Sequence, residues 1–422
     1  MSTEKKNYAL PIAMMFALFF MIAFVTGLPS PMGVIVAKQF GATNFESQLG
    51  FLGNFLAYAF MGIPAGIMHK KFGYKKTALS AIGVGFVGVG VQFLSGQVGL
   101  FSIYLVGTFI SGFSMCMLNT VVNPMLNTLG GGGNSGNRLL QFGGSINSIG
   151  ATITPMLVGW LMGAEAGRTI EKANPALFLA LGIFALAFVV LSFVNIPEPH
   201  METAAERKVK HSHSPLSFRH FIFGAIAIFI YVGIEIGIPS TANLFMTASK
   251  TATNAGLGIE ATTAGSIVGV YWLLMLVGRL IGASIGAKVS SKSMMIGVSA
   301  LGLVLILAAI LSPITTTVTL PYFGTQVPLS IVFLVLCGLC TSIMWGGVFN
   351  LAVEGLGKYT AAGAGIFMVM VCGGGIVPLI QGFVSDHFGY LNSYWVMFAC
   401  IAYMMWYALV GCKNVNKDIP VE

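Results

Sequence analysis

Long apolar runs alternate with short polar breaks along the whole chain. Crossing the hydrocarbon core of a bilayer takes about 20 residues at ~1.5 Å each. Twelve runs reach that length: Ala9–Val36, Ser47–Ile67, Thr77–Gln97, Phe101–Leu126, Leu139–Gly163, Pro175–Asn195, Phe218–Met246, Ala261–Ala287, Ser293–Leu311, Leu329–Val353, Ala361–Phe383 and Leu391–Val410. They are too long and too continuous for barrel strands, which alternate over ~10 residues. The pattern predicts an all-α membrane protein of twelve transmembrane helices. The first run follows Lys5 and Lys6, yet it exceeds a signal peptide and lacks a clear small-residue cleavage site, so it counts as a span.

The two ends of this pattern echo each other. Gly150, Pro155 and Gly159 in the fifth span recur as Gly373, Pro378 and Gly382 in the eleventh. Asn123 followed by Leu129-Gly130 recurs as Asn350 followed by Leu356-Gly357, and the loop Gly66–Lys76 has a weaker counterpart from Gly278 to Lys292. Three echoes in one order predict a duplicated six-helix unit: two pseudo-symmetric bundles, residues 1–195 and 218–422, joined by a charged linker at 196–217. Paired bundles of this kind can rock about a site between them.

Composition sharpens the picture. Hydrophobic residues make up 56% of the chain and charged residues 8%, against about 25% charged in a soluble protein, so the lipid bilayer is the expected surroundings. The net charge of +8 is spread over short loops, with no basic face interleaved with aromatics, which excludes nucleic acid as a partner. With both termini cytoplasmic, only Lys38, Arg168, Lys172 and Lys250 fall outside and Arg279 falls within a span, so the positive-inside rule sets the orientation. Six scattered cysteines read as reduced apolar residues. His211 and His213 lie in the polar linker and read as solvated, so no metal site and no cofactor are expected. Paired acids, a zinc-protease helix motif, a nucleophile elbow and a phosphate loop are all missing from fitting contexts, which argues against a membrane enzyme.

Several segments together resemble the fucose/galactose/glucose permease family of the major facilitator superfamily. They are Thr43-Asn44-Phe45, Ile63-Pro64-Ala65-Gly66, Lys70-Lys71-Phe72-Gly73-Tyr74-Lys75, Asn123-Pro124, Tyr231-Val232-Gly233 with Glu235, Val277-Gly278-Arg279 with Ile281-Gly282, Gly355-Leu356-Gly357-Lys358, and Gly373-Gly374 with Ile376 to Leu379. The resemblance implies the major facilitator fold, both termini inside, and sugar uptake across a bacterial inner membrane, usually with protons. It also implies that Gly66, Lys70, Lys71, Gly73 and Lys75 form a gate-side loop, although the superfamily's acid in that loop is Lys70 here. Two further acids of fucose-type members fall on Ser30 and Asn119, and a glutamine falls on Gly144, which would widen the pocket.

A sugar needs hydrogen-bonding partners around its edge and an aromatic plate for its face. Asn and Gln suit it because each amide both donates and accepts. Asn119 and Asn123 lie on one stripe of the fourth span with Cys116 and Asn127. Asn119 matches a family functional position, and Asn147 in the fifth span matches a family sugar-binding asparagine. Trp345, Asn350, Gln381 and Tyr271 are the second-half candidates, with Asn54 and Tyr58 as a further spaced pair. Glu235 is the carboxylate near the middle of a span, a candidate for proton coupling with Tyr231 one turn earlier. Arg279, near the cytoplasmic end of the eighth span, is expected to pair with loop carbonyls or with an acid in a gate. The expectation is a monomeric sugar carrier working by alternating access with proton symport. An uncoupled or sodium-coupled carrier, or one for an amino sugar or another small polar solute, stays open.

Overall fold

The computed structural model describes residues 8–130, 133–161, 169–198, 213–251, 254–285, 289–416 and 418–421. Most of the expected linker, with His211, lies outside these residues.

Helices dominate in chain order. The first span is α1 (Ala9–Gly27) and α2 (Pro29–Phe40), and a one-turn helix α3 (Asn44–Ser47) follows it. Then come α4 (Leu49–Phe72), α5 (Tyr74–Val98), α6 (Phe101–Leu129), α7 (Gly133–Leu161) and α8 (Asn174–Phe193). The second series is α9 (Arg219–Thr247), α10 (Ala261–Ile285), α11 (Ser291–Leu311), α12 (Leu329–Thr341) with α13 (Met344–Val353), α14 (Thr360–Met370) with α15 (Gly373–Phe388), and α16 (Tyr390–Trp406). Among the described residues, eleven helical stretches are long and apolar enough to cross a membrane. The remaining span is α7. Its 29 residues reach about 43 Å at 1.5 Å each, but its glycines and its serine, threonine and asparagine side chains dilute its apolarity.

Three expected spans are interrupted. The first bends at Leu28, where Pro29 opens α2 and cannot donate into the turn before it. The tenth breaks at Ser342–Ile343. There Thr341 Oγ1 donates to the carbonyls of Cys337 and Gly338, and Ser342 Oγ donates to that of Leu339, a competition with the backbone ladder that bends helices. The eleventh tightens at Val371–Cys372, where Cys372, Gly374 and Gly375 donate three residues back. A short antiparallel hairpin, β1 (Thr317–Leu320) with β2 (Thr325–Pro328), joins the ninth and tenth spans and was not foreseen. It fits the β-branched alternation of that segment.

Packing is helix on helix. In the first series α6 lies against α4 and α5, α7 against α1, and α8 against α5. In the second, α15 and α16 lie against α9, and α12 against α10 and α11. A Cβ at Gly373 would collide with the carbonyl oxygen of Phe229, so α15 reaches α9 only because that side chain is missing. The two series meet where α7 lies along α10 and where α4 lies along α14 and α15. Large apolar side chains such as Phe60, Trp160, Phe193 and Val304 project outward, as lipid-facing surfaces require.

Candidate functional site

Polar side chains lie within several spans, some bonded inside the first series and some across the contact between α7 and α10. On α6, Asn119 Nδ2 donates to Tyr58 Oη of α4 at 3.0 Å and to the carbonyl of Met115 at 3.0 Å. Asn123, one turn on, donates from Nδ2 to the Asn119 carbonyl at 2.8 Å, with the Asn119 Oδ1 at 3.4 Å. On α7, Asn147 Nδ2 donates to the carbonyl of Phe19 in α1 at 3.0 Å. All three amides are half-buried. Their donors are anchored in the protein, while the Asn123 and Asn147 side-chain oxygens accept no hydrogen bond among the described residues. An anchored amide with a vacant acceptor is preorganised for a hydroxyl donor.

Arg279 carries the arrangement across the seam. From α10 its Nη1 donates to the Gly144 carbonyl and to Ser148 Oγ of α7, both at 2.7 Å. Its Nε donates to the carbonyl of Ser342 at 3.4 Å, where the break after α12 leaves a helix end. Its Nη2 lies 3.7 Å from Glu235 Oε1 of α9, both side chains 16% exposed. A guanidinium suits this place, because five donors in a fixed fork meet acceptors on several helices at once. The expected acid partner of Arg279 is therefore Glu235, joined by backbone carbonyls of two spans. The room beside Gly144 belongs to Arg279, whose Nη1 would be the first atom met by a Cβ there, at 3.7 Å.

Aromatic residues flank the pair. The Tyr231 and Trp345 rings lie 6.2 Å apart; Trp345 is half-buried just past the break in the tenth span. Tyr271 is buried, with its hydroxyl 3.0 Å from Thr341 Oγ1 and donating to the Glu235 carbonyl at 3.3 Å. It holds the backbone of the acid. Gln381 is fully buried between α15 and α16, where Nε2 donates to Ser393 Oγ at 3.5 Å. Asn350 is exposed, and Asn54 is buried. The structure thus forms two groups: Glu235, Arg279, Tyr271 and the Tyr231–Trp345 ring pair in one, reaching Ser148 beside Asn147, and Asn119 with Asn123 in the other; among the described residues Gln381 bonds elsewhere and Asn350 is exposed. Tyr58, Ser148 and Ser342 join them as the partners of Asn119 and Arg279. The sequence paired Tyr58 with Asn54 by spacing, but nothing along the chain assigns Tyr58, Ser148 or Ser342 a partner.

The basic loop behaves differently. Gly73, with φ at 85°, ends α4 in a conformation that favours glycine. The Glu198 carboxylate accepts from the backbone N–H of Tyr74 and of Lys75, capping α5. Lys75 Nζ donates to the Ser192 carbonyl, and Lys71 lies over the Phe72 ring. Gly66 has open space beside it. The Lys70 side chain lies outside the described residues. This loop is tied to the exit of the sixth span, within the first series.

The chain matches the Major Facilitator Superfamily over residues 14–378. It belongs to that superfamily. Among curated relatives, the glucose/galactose transporter of Brucella abortus is 28% identical over 98% of this chain and 97% of its own length. The L-fucose-proton symporter of Escherichia coli is 23% identical over 92% of this chain and 89% of its own. The fold is similar to that of FucP solved in its outward conformation, at 20% identity with a TM-score of 0.69, covering 96% of this chain and all of that one. This superfamily member is a transporter and not an enzyme.

Proposed function

We propose that the protein carries a neutral monosaccharide, of the hexose or deoxyhexose class, across a bacterial inner membrane by alternating access. Its two six-helix bundles, residues 1–195 and 218–422, rock about the seam, with the linker at 196–217 and both termini on the cytoplasmic side. The observation that carries this reading is the set of anchored amides, Asn119, Asn123 and Asn147, of which Asn123 and Asn147 keep side-chain oxygens that accept no hydrogen bond among the described residues, with Trp345 as the candidate platform for a sugar ring. Hydroxyl groups donate to those oxygens, and the ring face lies on the indole. The curated relatives named for glucose, galactose and fucose support the same class.

Proton symport is the coupling that Glu235 supports. A proton arriving on its carboxylate removes the charge that attracts Arg279. Arg279 then keeps its bonds to Gly144, Ser148 and Ser342, so it stays satisfied while the acid is neutral. Ser30 and Asn119 carry no charge where fucose-type carriers have acids, which leaves Glu235 as the coupling group. A second reading, uncoupled facilitation, draws on the same geometry: with Arg279 as its resident cation, Glu235 stays ionised through the cycle.

Counterflow of radiolabelled hexoses in proteoliposomes tests the function. Exchange of at least one hexose is expected, and no movement of any sugar under any gradient refutes the proposal. Glu235→Gln separates the couplings. Under symport it abolishes sugar-driven proton entry and spares exchange; under facilitation the wild type moves no protons.

A further inference from the structure

A helix that breaks inside a membrane leaves a carbonyl that needs another donor. In the tenth span that carbonyl belongs to Ser342. The ladder resumes one residue later, where Gly347 N–H donates to the Ile343 carbonyl at 2.9 Å. Among the described residues the Ser342 carbonyl accepts from no backbone N–H, and Arg279 Nε donates to it at 3.4 Å. Just before it, Thr341 Oγ1 lies 3.0 Å from Tyr271 Oη, which also donates to the Glu235 carbonyl at 3.3 Å. The end of α12 is therefore tied twice to the acid and its cation. Thr341 reaches the Glu235 backbone through Tyr271, and Ser342 reaches the guanidinium that lies 3.7 Å from the Glu235 carboxylate.

Packing seats the break on the same helix. A Cβ at Gly278 would collide with Ser342 Oγ, and one at Gly282 with Ile343 Cγ2. These glycines stand one turn apart on α10 with Arg279 between them, so small residues let the break rest directly on the helix that carries the cation. Past the break, the Trp345 ring in the first turn of α13 lies 6.2 Å from that of Tyr231. Tyr231 precedes Glu235 by one turn of α9.

We propose that the Thr341–Ser342 break is the joint that couples Glu235 to Trp345, with Arg279 and Tyr271 as the positioning residues that work it. Its part in transport rests on the function proposed above; the joint itself requires only the acid, the cation and the break. While Glu235 is ionised, its carboxylate draws the guanidinium towards α9. A neutral Glu235 removes that pull, and the guanidinium turns towards its 2.7 Å acceptors on α7. The Ser342 carbonyl stays bonded and turns with it, so α13 pivots at the gap in the ladder. Trp345 moves because it stands within one turn of the pivot. Tyr271 steadies the other side, since its bond to the Glu235 carbonyl does not depend on the charge of the carboxylate. Coupling of this kind is reciprocal. A sugar ring that fixes the indole also fixes the break, and so favours one charge state of Glu235.

Trp345 fluorescence tests the joint without any sugar. Its emission is the difference between the detergent-solubilised protein and its Trp345→Phe form, in which the other tryptophans cancel. Glu235→Gln is expected to shift this emission. Thr341→Val with Ser342→Ala removes both hydroxyls that open the break, lets the ladder close, and should abolish the shift. Thr341→Ser keeps its hydroxyl and should respond like the parent. Should the double variant fail to insert, Ser342→Ala alone carries the test, with a smaller shift than the parent's expected. Hexose affinity read by thermal shift is the second measurement: Glu235→Gln should change it about fivefold in the parent and less than about twofold in the double variant. An emission shift of equal size in both backgrounds overturns the proposal, because the Tyr231–Trp345 ring pair then carries the effect past the break. No shift in either background also overturns it, since the acid then does not reach the indole. A protein that gives the expected emission pattern but binds no hexose upholds the joint and refutes the sugar reading.

Discussion

Glu235 and Arg279 stand 3.7 Å apart, and a double-mutant cycle measures how each depends on the other. At an effective dielectric of about 20, unit charges at that separation attract by roughly 4.5 kcal/mol. Desolvation offsets part of this, so removing one partner costs more than the pair is worth. The two sides differ in what they leave behind. Arg279→Ala strands a half-buried carboxylate without its cation and should cost about 3–5 kcal/mol. Glu235→Gln leaves a guanidinium that still donates to Gly144, Ser148 and Ser342, with an amide oxygen in the old place, and should cost about 1–2 kcal/mol. The double variant removes both charges. It should be at least ~2 kcal/mol more stable than the sum of the single losses implies, within the range of coupled neighbours. Denaturant unfolding of the detergent-solubilised protein, followed at constant m-value, reads all four corners of the cycle. Losses that add within about 0.5 kcal/mol would refute the claim that these charges share one environment.

The other expectations concern the amides, the indole and the close-packed glycine. Asn147→Ala removes a vacant hydroxyl acceptor and should weaken sugar binding about tenfold, or ~1.4 kcal/mol, read by ligand-induced thermal shift; unchanged affinity would take Asn147 out of the site. Trp345→Ala should lose about 0.5–1.5 kcal/mol of binding beyond simple area, with Trp345→Phe recovering much of it; equal loss in both variants would argue against stacking. Gly373→Ala brings a methyl group into the Phe229 carbonyl and should destabilise by about 1–3 kcal/mol. Gly297→Ala, which meets open space, serves as its control, and matching melting points would contradict the packing account.

Much of the architecture is legible along the chain because a bilayer constrains it so strongly. With no water to satisfy backbone groups, an apolar run of sufficient length has to be a helix, and the runs from Ala9 to Val410 followed directly. The interruptions at Ser342–Ile343 and Val371–Cys372 were not legible. They arise where hydroxyl back-bonding and tightened turns outweigh a ladder that hydropathy alone leaves whole. The β1–β2 hairpin was missed for a related reason, since it lies between spans, where apolar run length says nothing. The amide stripe on α6 was legible from its helical spacing. Which amide atoms are engaged was not, because that depends on Tyr58, Met115 and Phe19, chain neighbours only in part. Gln381 shows the limit from the other side: its amide made it a candidate along the chain, but only packing places it against Ser393.

Asp386 and Arg279 mark the same boundary most clearly. Sequence alone determined that the chain is a bundle of membrane-spanning helices with a duplicated plan, and that Glu235 and Arg279 sit among apolar residues. Those are one-dimensional facts, set by periodicity and by the cost of exposing backbone and charge to lipid. Tertiary structure decided that Arg279 bridges the two helix series to Glu235, and that Asp386 reaches the start of a helix more than three hundred residues away. Electrostatics falls off with distance in space and takes no account of distance along the chain, so those partnerships became readable only once the helices were packed.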